Sequence, residues 1–592
     1  MTDFRRNSLD KATSPYLQQH KQNPVWWQEW SADALSYAKS EKKLLFVSVG
    51  YATCHWCHVM ASDCFEDENV AKTLNKDFVS IKIDREQRPD IDHFLMSFLV
   101  KSTGQGGWPL NAVLTPDLKP ITAFTYLPPA ALLDVLQQAE NHYRENKDRI
   151  APFTLIVSKD ESTEEEVLID KILSSFDATY GGFGFSQKFP PHNTLLFLLS
   201  YYEKTKLKTV RKILEKTLDA MATRGLHDHL QGGFFRYCTD AEWTIPHFEK
   251  MLYDQALCLW SYSAAYKVLG KEEYKFIAER IIKCLEETFD NGEGLFYSAH
   301  DADTEHEEGK TYLWTKEELE KIIDRIEMES FKDLYLMEEN FEGKMHLIKK
   351  RLSFLPQTEE RLLQARKKRK QPFTDRKIIT SWNCLAGIAL LLAHRYAGII
   401  KGKEKAERIF EKIMERHYLD EKLMHSSLDE RKQNEEFLED YASLLLFATY
   451  LHEEDASRED IIKKLLKKTM EFKNSRWIEN KTRDFSAIPA RTLDHPVPSS
   501  VSLAELALLR AKIILRESYA QEEYRHSLER DFYNLFAFIT RGNFHIIESP
   551  EKIEWFLLPY NAMQLRGEKM QDCFGTTCKI FRSEEELVGA IQ

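Results

Sequence analysis

The sequence predicts two unlike units in one chain: an α/β unit followed by a much larger all-helical one. Three observations carry this. Short apolar, β-branched runs alternate with helical stretches up to about residue 150, the pattern of an α/β layer structure. Cys54-His55-Trp56-Cys57-His58-Val59-Met60 stands between a strand and a helix, the strand, turn, C-x-x-C, helix order of thioredoxin. From about residue 165 strand signals become rare and long amphipathic segments take over.

Taken in order, residues 8–30 carry Ser14-Pro15-Tyr16-Leu17, Asn23-Pro24-Val25 and three tryptophans, Trp26, Trp27 and Trp30. This composition suggests an irregular arm held down by aromatic burial. Ser31 can cap a helix over 32–39. The run 44–50 reads as a buried strand, and the dithiol turn leads into a helical stretch that includes 64–71. A strand at 78–84, a helix at 90–100, strands near 111–114 and 121–126 and a helix over about 130–145 complete the unit. The helical part reads as segments 193–206, 208–222, 249–268, 271–289, 383–399, 403–417, 437–451, 459–473, 501–516 and 521–535. Such pairs joined by loops make helical hairpins.

Two cysteines three apart at a helix start lie on one face, where free N–H groups and the dipole stabilise a thiolate. Cys54 is expected to be the more exposed nucleophile and Cys57 the resolving thiol. Protonated His55 and His58 would lower the thiolate pKa further. The same letters admit c-type haem attachment, a zinc site of Cys54, Cys57, His58 and Cys64, or an inert buried pair. The strand ahead of the turn favours redox chemistry, and no cofactor or metal is expected. In Gly106-Gly107-Trp108-Pro109-Leu110, Pro109 is the candidate for a cis-proline facing the dithiol, with Trp108 beside it. The alternative is an ordinary glycine-rich turn before an edge strand.

Three stretches of the helical part are rich in acids, His and aromatics. One carries Arg236, Trp243, His247, Glu249 and Asp254; the second Asp301 and Asp303; the third Trp382 and Asn383, with Glu439 and Asp440 on a later helix. Aromatic rings beside carboxylates suit carbohydrate, and a His with acids suits proton transfer next to a carbonyl. The bland readings are that His247 and Glu249 tether a helix start and that Trp382 and Asn383 pack a core. Asp301-x-Asp303-x-Glu305 hints at a cation loop but lacks the glycine and length of an EF-hand.

Composition bounds the rest. The chain has 592 residues, 43% apolar and 30% charged, a globular balance. A net charge of −12 argues against a nucleic-acid partner. The basic run Lys367-Lys368-Arg369-Lys370 reads as a solvated loop. Nine cysteines in so long a chain are not a disulfide framework. No apolar run is long enough to span a bilayer and the start lacks a signal-peptide core, so a cytoplasmic protein is expected.

These motifs together resemble the thioredoxin-like family of spermatogenesis-associated thioredoxin-domain proteins and their bacterial relatives. The resemblance rests on the stretches above, with Phe65-Glu66-Asp67, Asp84-Arg85-Glu86, Arg88-Pro89-Asp90, Lys188-Phe189-Pro190, Pro246-His247-Phe248-Glu249-Lys250-Met251-Leu252-Tyr253-Asp254 and Ser381-Trp382-Asn383. It implies a thioredoxin-like domain with its arm over residues 1–160. It also implies an (α/α)6 toroid like that of six-hairpin glycosidases over 165–592. The chain departs from the family's pattern at Trp26, Phe235 and Pro498–Ser502.

The resulting expectation is a thiol–disulfide oxidoreductase or redox sensor whose toroid binds a metabolite or partner. The alternatives are a carbohydrate-active enzyme of glycosidase or epimerase type, and a non-catalytic interaction platform. Expected catalytic residues are Cys54, Cys57, His247, Glu249, Asp301 and Asp303. Expected binding residues are Trp56, His58, Trp108, Pro109, Arg236, Trp243, Asp254, Trp382, Asn383, Glu439 and Asp440. A thiol or disulfide protein and a sugar or small molecule are the expected partners, with no nucleic acid or membrane.

Overall fold

The structure is a computed structural model that describes residues 3–155, 161–162, 165–517, 525–526, 544–574 and 577–591. The expected helix at 521–535 lies outside the described residues.

The N-terminal unit is a five-stranded sheet of order β1-β3-β2-β4-β5, with β1 Gln28–Glu29, β2 Leu44–Gly50, β3 Phe78–Asp84, β4 Leu110–Leu114 and β5 Pro120–Phe124. β1 and β2 run parallel to β3, whereas β4 is antiparallel to β2 and β5 to β4. β2 and β3 are buried along their whole length, as central strands covered on both faces must be. Helices α1 Pro15–Gln19, α2 Ala32–Glu41, α3 His55–Met60, α4 Glu68–Asp77, α5 Pro89–Thr103 and α6 Pro129–Asn146 surround them.

Ser31 caps α2 as its type predicts, its Oγ accepting from Ala34 N–H at 3.3 Å. The arm contains the short helix α1, with Trp27 fully buried and Trp26 half-buried. The helical stretch after the dithiol is not continuous. α3 widens into a π turn at 61–65, and Asp67 caps a separate α4 by accepting from Asn69 and Val70 N–H.

The second unit is a helical toroid. Its inner wall, among the described residues, is α8 His192–Thr205, α10 Leu252–Leu269, α15 Thr380–Ala397, α17 Leu438–Asp455 and α19 Ser500–Ile514. Each inner helix packs on the next in that order. Around them stand α7 Glu165–Ser174, α9 Lys208–Thr223, α11 Glu272–Cys284, α16 Lys401–Arg416 and α18 Glu459–Met470. Three further helices, α12 Lys316–Ile322, α13 Arg325–Leu334 and α14 Pro356–Lys367, belong to a long insertion. The sequence explains the two layers. α16 buries only Gly402, Ala406, Ile409, Phe410 and Ile413, one stripe at helical spacing, whereas α15 is apolar all round and buried almost throughout.

Within the four described hairpins, 192–223, 252–284, 380–416 and 438–470, the inner helix turns tightly into its outer partner. Gly398, at φ 67°, ends α15 in the left-handed conformation and α16 begins three residues later. The connections from each outer helix to the next inner one are long. All of them therefore gather at the N-terminal ends of the inner helices, and the thioredoxin-like unit sits on that same end. The opposite end is closed by residues 544–574 and 577–591, which form a four-stranded sheet and α20 Glu584–Ile591. Tyr560, Trp555 and Arg395 pack there. The sequence pattern does not announce this sheet, because its strands are short and mix polar with apolar residues. Cys573 and Cys578 are cross-strand partners in it and form a disulfide; the five free cysteines are buried.

The two units are joined by buried charge. Lys377 Nζ lies 2.5 Å from Asp84 Oδ2, 2.8 Å from Glu86 Oε2 and 3.1 Å from Asp375 Oδ2, all essentially without solvent exposure. Arg88 grips Asp90 with two bonds of 3.0 Å and reaches Asp484 at 2.8 Å, while Asn480 donates to Asp90 at 2.9 Å. Phe485 inserts between Trp30 and Phe94. Removing the lysine strands three buried carboxylates around one point. Lys377→Met is expected to lower the stability of the full chain by about 3–5 kcal/mol in a denaturant melt. A loss below about 1 kcal/mol, the range of exposed pairs, would show that the cluster does not hold the units together.

Candidate functional site

Cys54 occupies the N-cap of α3, and its Sγ accepts from Cys57 N–H at 3.2 Å. Cys54 and Cys57 are joined as a disulfide. The turn fits tightly against the end of β2. A Cβ on Gly50 would lie 2.4 Å from Tyr16 Oη and 2.8 Å from Cys57 Sγ, so only glycine leaves room for the sulfur. The Trp108–Pro109 bond is cis, as the sequence predicts. β4 begins one residue later with Leu110 paired to Val49, which brings Pro109 to the end of β2 where the dithiol turn starts.

One expectation is corrected. The expected exposed nucleophile is covered along with its partner: Cys54 is 2% and Cys57 1% exposed. The reason is the second unit, which covers the turn residue by residue. The part of the motif that faces outward is Trp56, 44% exposed and packed on Tyr126.

Tyr51 Oη lies 3.0 Å from Glu249 Oε2, and Arg236 Nη1 donates to the same carboxylate at 3.0 Å. Arg236 also contacts Tyr51 directly. Thr53 lies against Met251. His55 Nδ1 bonds Asp303 Oδ1 at 2.9 Å, with Nε2 3.9 Å from Glu308. His58 Nε2 is 3.2 Å from Asp301 Oδ2, and His247 Nδ1 bonds Glu308. Every second or third residue of the turn is thus held by the toroid mouth.

The carboxylates come from a hairpin. Asp303 pairs in register with Glu308, and Glu305 and His306 both take positive φ, the two-residue turn that matches strand twist. Like charges directly opposite repel, and here the imidazole of His55 stands between them.

Electrostatics follow from this crowding. Burial pushes Glu249 up to about 7 despite Arg236 beside it. Burial disfavours a charged His55, but its bond to Asp303 and the charges of Glu308, Asp303 and Glu249 outweigh that and raise it. His58 is raised in the same way, Asp301 and Asp303 outweighing its burial.

The mouth therefore brings together Cys54, Cys57, His58, Trp108, Pro109, Arg236, His247, Glu249, Asp301 and Asp303. Trp108 donates from Nε1 to Asp92 at 2.7 Å and carries the Arg85 guanidinium on its face. Five other candidates sit at the same end but in internal bonds. Asp254 meets His192 at 3.1 Å, and Trp382 packs edge-on against Tyr253. Asn383 bonds the Phe296 and Ile379 backbone, Asp440 takes His425 at 2.7 Å, and Glu439 pairs with Arg491. Trp243 stands apart, fully buried with its indole N–H on Gly181 O at 3.2 Å. His227 and His229 meet through their Nδ1 atoms at 3.2 Å, and His229 Nε2 bonds the Arg224 carbonyl at 3.1 Å.

Sequence reasoning missed Tyr51 and Glu308 as members of this set. Tyr51 had a signal, as the polar-tipped residue just after the strand; Glu308 was hidden in the acidic run 301–308. A cavity of about 350 Å3 lies at the opposite end, lined by His452, Glu453, Lys552 and Arg566 among others, and none of the expected site residues lines it. No described helix is long and apolar enough to cross a membrane.

The family model Thioredox_DsbH, described as a protein of unknown function (DUF255), matches residues 6–159. An uncharacterised protein of Caenorhabditis elegans is 34% identical over 617 aligned residues, covering 90% of this chain and 83% of that protein. Human spermatogenesis-associated protein 20 is 38% identical over 352 residues, covering 54% of this chain and 44% of its own length. A cellobiose 2-epimerase of Bacteroides fragilis is 40% identical over a 73-residue stretch, 12% of this chain and 19% of the epimerase. The chain belongs to the thioredoxin-like family of spermatogenesis-associated protein 20 and its relatives.

Proposed function

We propose that the protein is a thiol–disulfide redox protein whose Cys54–Cys57 pair senses redox state and sets the state of the toroid mouth. One observation carries this reading: the dithiol turn is held to the mouth by the hydrogen bonds of Tyr51 and His55 and by the close approach of His58 to Asp301, while the cysteines themselves are covered. A thioredoxin-like unit built to serve bulky protein disulfides would leave its first sulfur open. A covered pair suits small thiols, or exchange during brief undocking.

The chemistry needs a dithiol reductant. One of its thiolates attacks the Cys54–Cys57 bond, forming a mixed disulfide as that bond breaks. Its second thiol then displaces the protein sulfur. Two electrons and two protons end on Cys54 and Cys57, and the reductant leaves as a disulfide. The Cys57 N–H that points at Cys54 Sγ supports a Cys54 thiolate. Opening the bond lets the sulfurs separate and the turn relax, and the residues bonded to the turn feel the change.

A second reading is favoured by Glu249. A buried carboxyl near 7 beside His247 and Arg236 suits proton transfer on a sugar, and the stretch similar to a cellobiose 2-epimerase supports that class. Here too the dithiol would regulate.

Two outcomes are expected. On reduction, amide hydrogen exchange should rise in residues 247–251 and 301–308 and stay unchanged in 545–566, where nothing touches the turn. Exchange that changes only within the thioredoxin-like unit would leave the toroid out of the redox response.

The pH dependence has a definite sign. Glu249 ionises near 4.5 unfolded and about 7 folded. Its burial thus costs nothing below 4.5 and its full penalty, on the order of 3 kcal/mol, above 7. His55 and His58 are raised, so their contribution is complete below the ordinary histidine value of 6.5 and lost as pH rises through their folded values. Both effects reduce stability as pH rises from 5 to 8. Melting at each pH should show that slope in the wild type and a shallower one in Glu249→Gln. An unchanged slope would remove Glu249 from the account.

A further inference from the structure

Outside the redox pair, a grouping of metal-ligating side chains among the described residues spans the interface. His55 and His58 come from α3, His247 from the segment before α10, and Asp301, Asp303 and Glu308 from the hairpin. Within it, one ligand atom each from His58, Asp301 and Asp303 lies within 4.8 Å of the others. We propose that this cluster binds a divalent first-row metal ion, with His58, Asp301 and Asp303 as its core ligands and the metal bridging the two units.

Three observations carry the assignment. His58 Nε2 is sealed from solvent and, although 3.2 Å from Asp301 Oδ2, makes no hydrogen bond. Two atoms that close, buried and not aligned on each other are placed to share a third partner. Metal–ligand distances of about 2.0–2.2 Å put neighbouring ligand atoms roughly 3–4 Å apart; His58 Nε2 and Asp301 Oδ2 stand 3.2 Å apart, and the three ligand atoms lie within 4.8 Å of one another. Charge is the second observation. Asp303 and Glu308 are direct cross-strand partners, and Asp301 stands two residues before Asp303, its Oδ1 accepting from Asp303 N–H at 3.1 Å. Three carboxylates in so small a space call for positive charge, which imidazoles supply only when protonated. A divalent cation supplies it at any pH where the histidines are neutral ligands.

The third observation is the contrast with the other His and acid triad, His425, Glu439 and Asp440. There His425 Nδ1 bonds Asp440 at 2.7 Å and Nε2 bonds the Glu86 carbonyl at 2.9 Å. Both ring nitrogens are taken, so that triad is a closed structural bond. His58 has its Nε2 turned to the acids instead.

Mixed imidazole and carboxylate donors suit the borderline ions Zn²⁺, Co²⁺, Mn²⁺ and Fe²⁺. An ion at this point would tie α3, which carries Cys57 next to His58, to the mouth hairpin. Occupancy would therefore stabilise the docked arrangement without touching sulfur.

The test uses the full chain with the disulfide closed, stripped with chelator and dialysed against Zn²⁺ or Co²⁺. One equivalent should bind, and the Co²⁺ form should show a visible d–d band without sulfur-to-metal charge transfer. Asp301→Asn and His58→Gln should each weaken binding at least tenfold, whereas Glu307→Gln, on the exposed side of the same hairpin, should not. Because those variants could also loosen the interface, the Co²⁺ spectrum of the wild type stands as an independent reading. No stoichiometric metal in the oxidised chain, or binding that appears only after reduction with sulfur charge transfer, would overturn the site. The first outcome leaves a plain network of ion pairs, and the second assigns the metal to the dithiol.

Discussion

The arrangement depends on one buried cation. Lys377 reaches from the loop before α15 into a pocket of three carboxylates, two of them at the end of β3. Burial alone would strip its proton, but Asp375, Asp84 and Glu86 outweigh it and hold the lysine charged. Ser14 adds a hydroxyl donor to Asp84 at 2.5 Å, so the N-terminal arm is tied to the same point. An ammonium surrounded so completely tolerates little displacement, because every carboxylate it leaves would be buried without a partner. It fixes the end of the sheet that carries the dithiol turn against the mouth of the toroid.

From that anchor the rest of the site follows. The long connections of the toroid all emerge at the N-terminal ends of the inner helices, so its acids, histidines and aromatics collect on one rim. The thioredoxin-like unit covers that rim with the end of its sheet where β2 leads into Cys54 and Cys57. Each domain thereby buries the residues that would make it reactive alone. The carboxylates of the rim find the histidines of α3, and the disulfide finds a lid. Coupling between redox state and the mouth needs no distant pathway, since the groups are in direct contact.

Much of this was legible in the sequence. The boundaries of β2 and β3 follow from apolar, β-branched runs whose ends are marked by Gly50 and Asp84. The cis-proline and the C-x-x-C turn are local patterns, and inner and outer helices separate by the width of their apolar stripes. What could not be read are facts of tertiary contact. The burial of Cys54 depends on a hairpin about 250 residues away. Lys377, Glu308 and Tyr51 gain their roles only from partners in the other unit. The break at Asp67 was readable as a cap but was masked by the helical character of its neighbours. Trp243 has the composition of a sugar platform yet packs beneath Gly182, which a pattern of residue types does not distinguish.

If the disulfide and the mouth are coupled, the coupling must be reciprocal: whatever reduction does to the hairpin, loosening the hairpin must do to the reduction potential. The direct measurement is the Cys54–Cys57 potential in glutathione or dithiothreitol buffers, in the wild type and in an Asp301→Asn, Asp303→Asn double variant that remains folded. The account predicts a displacement of at least ~30 mV, which for two electrons is about 1.4 kcal/mol of coupling. Identical potentials in the two proteins would mean that the dithiol and the toroid mouth share an interface without sharing a function.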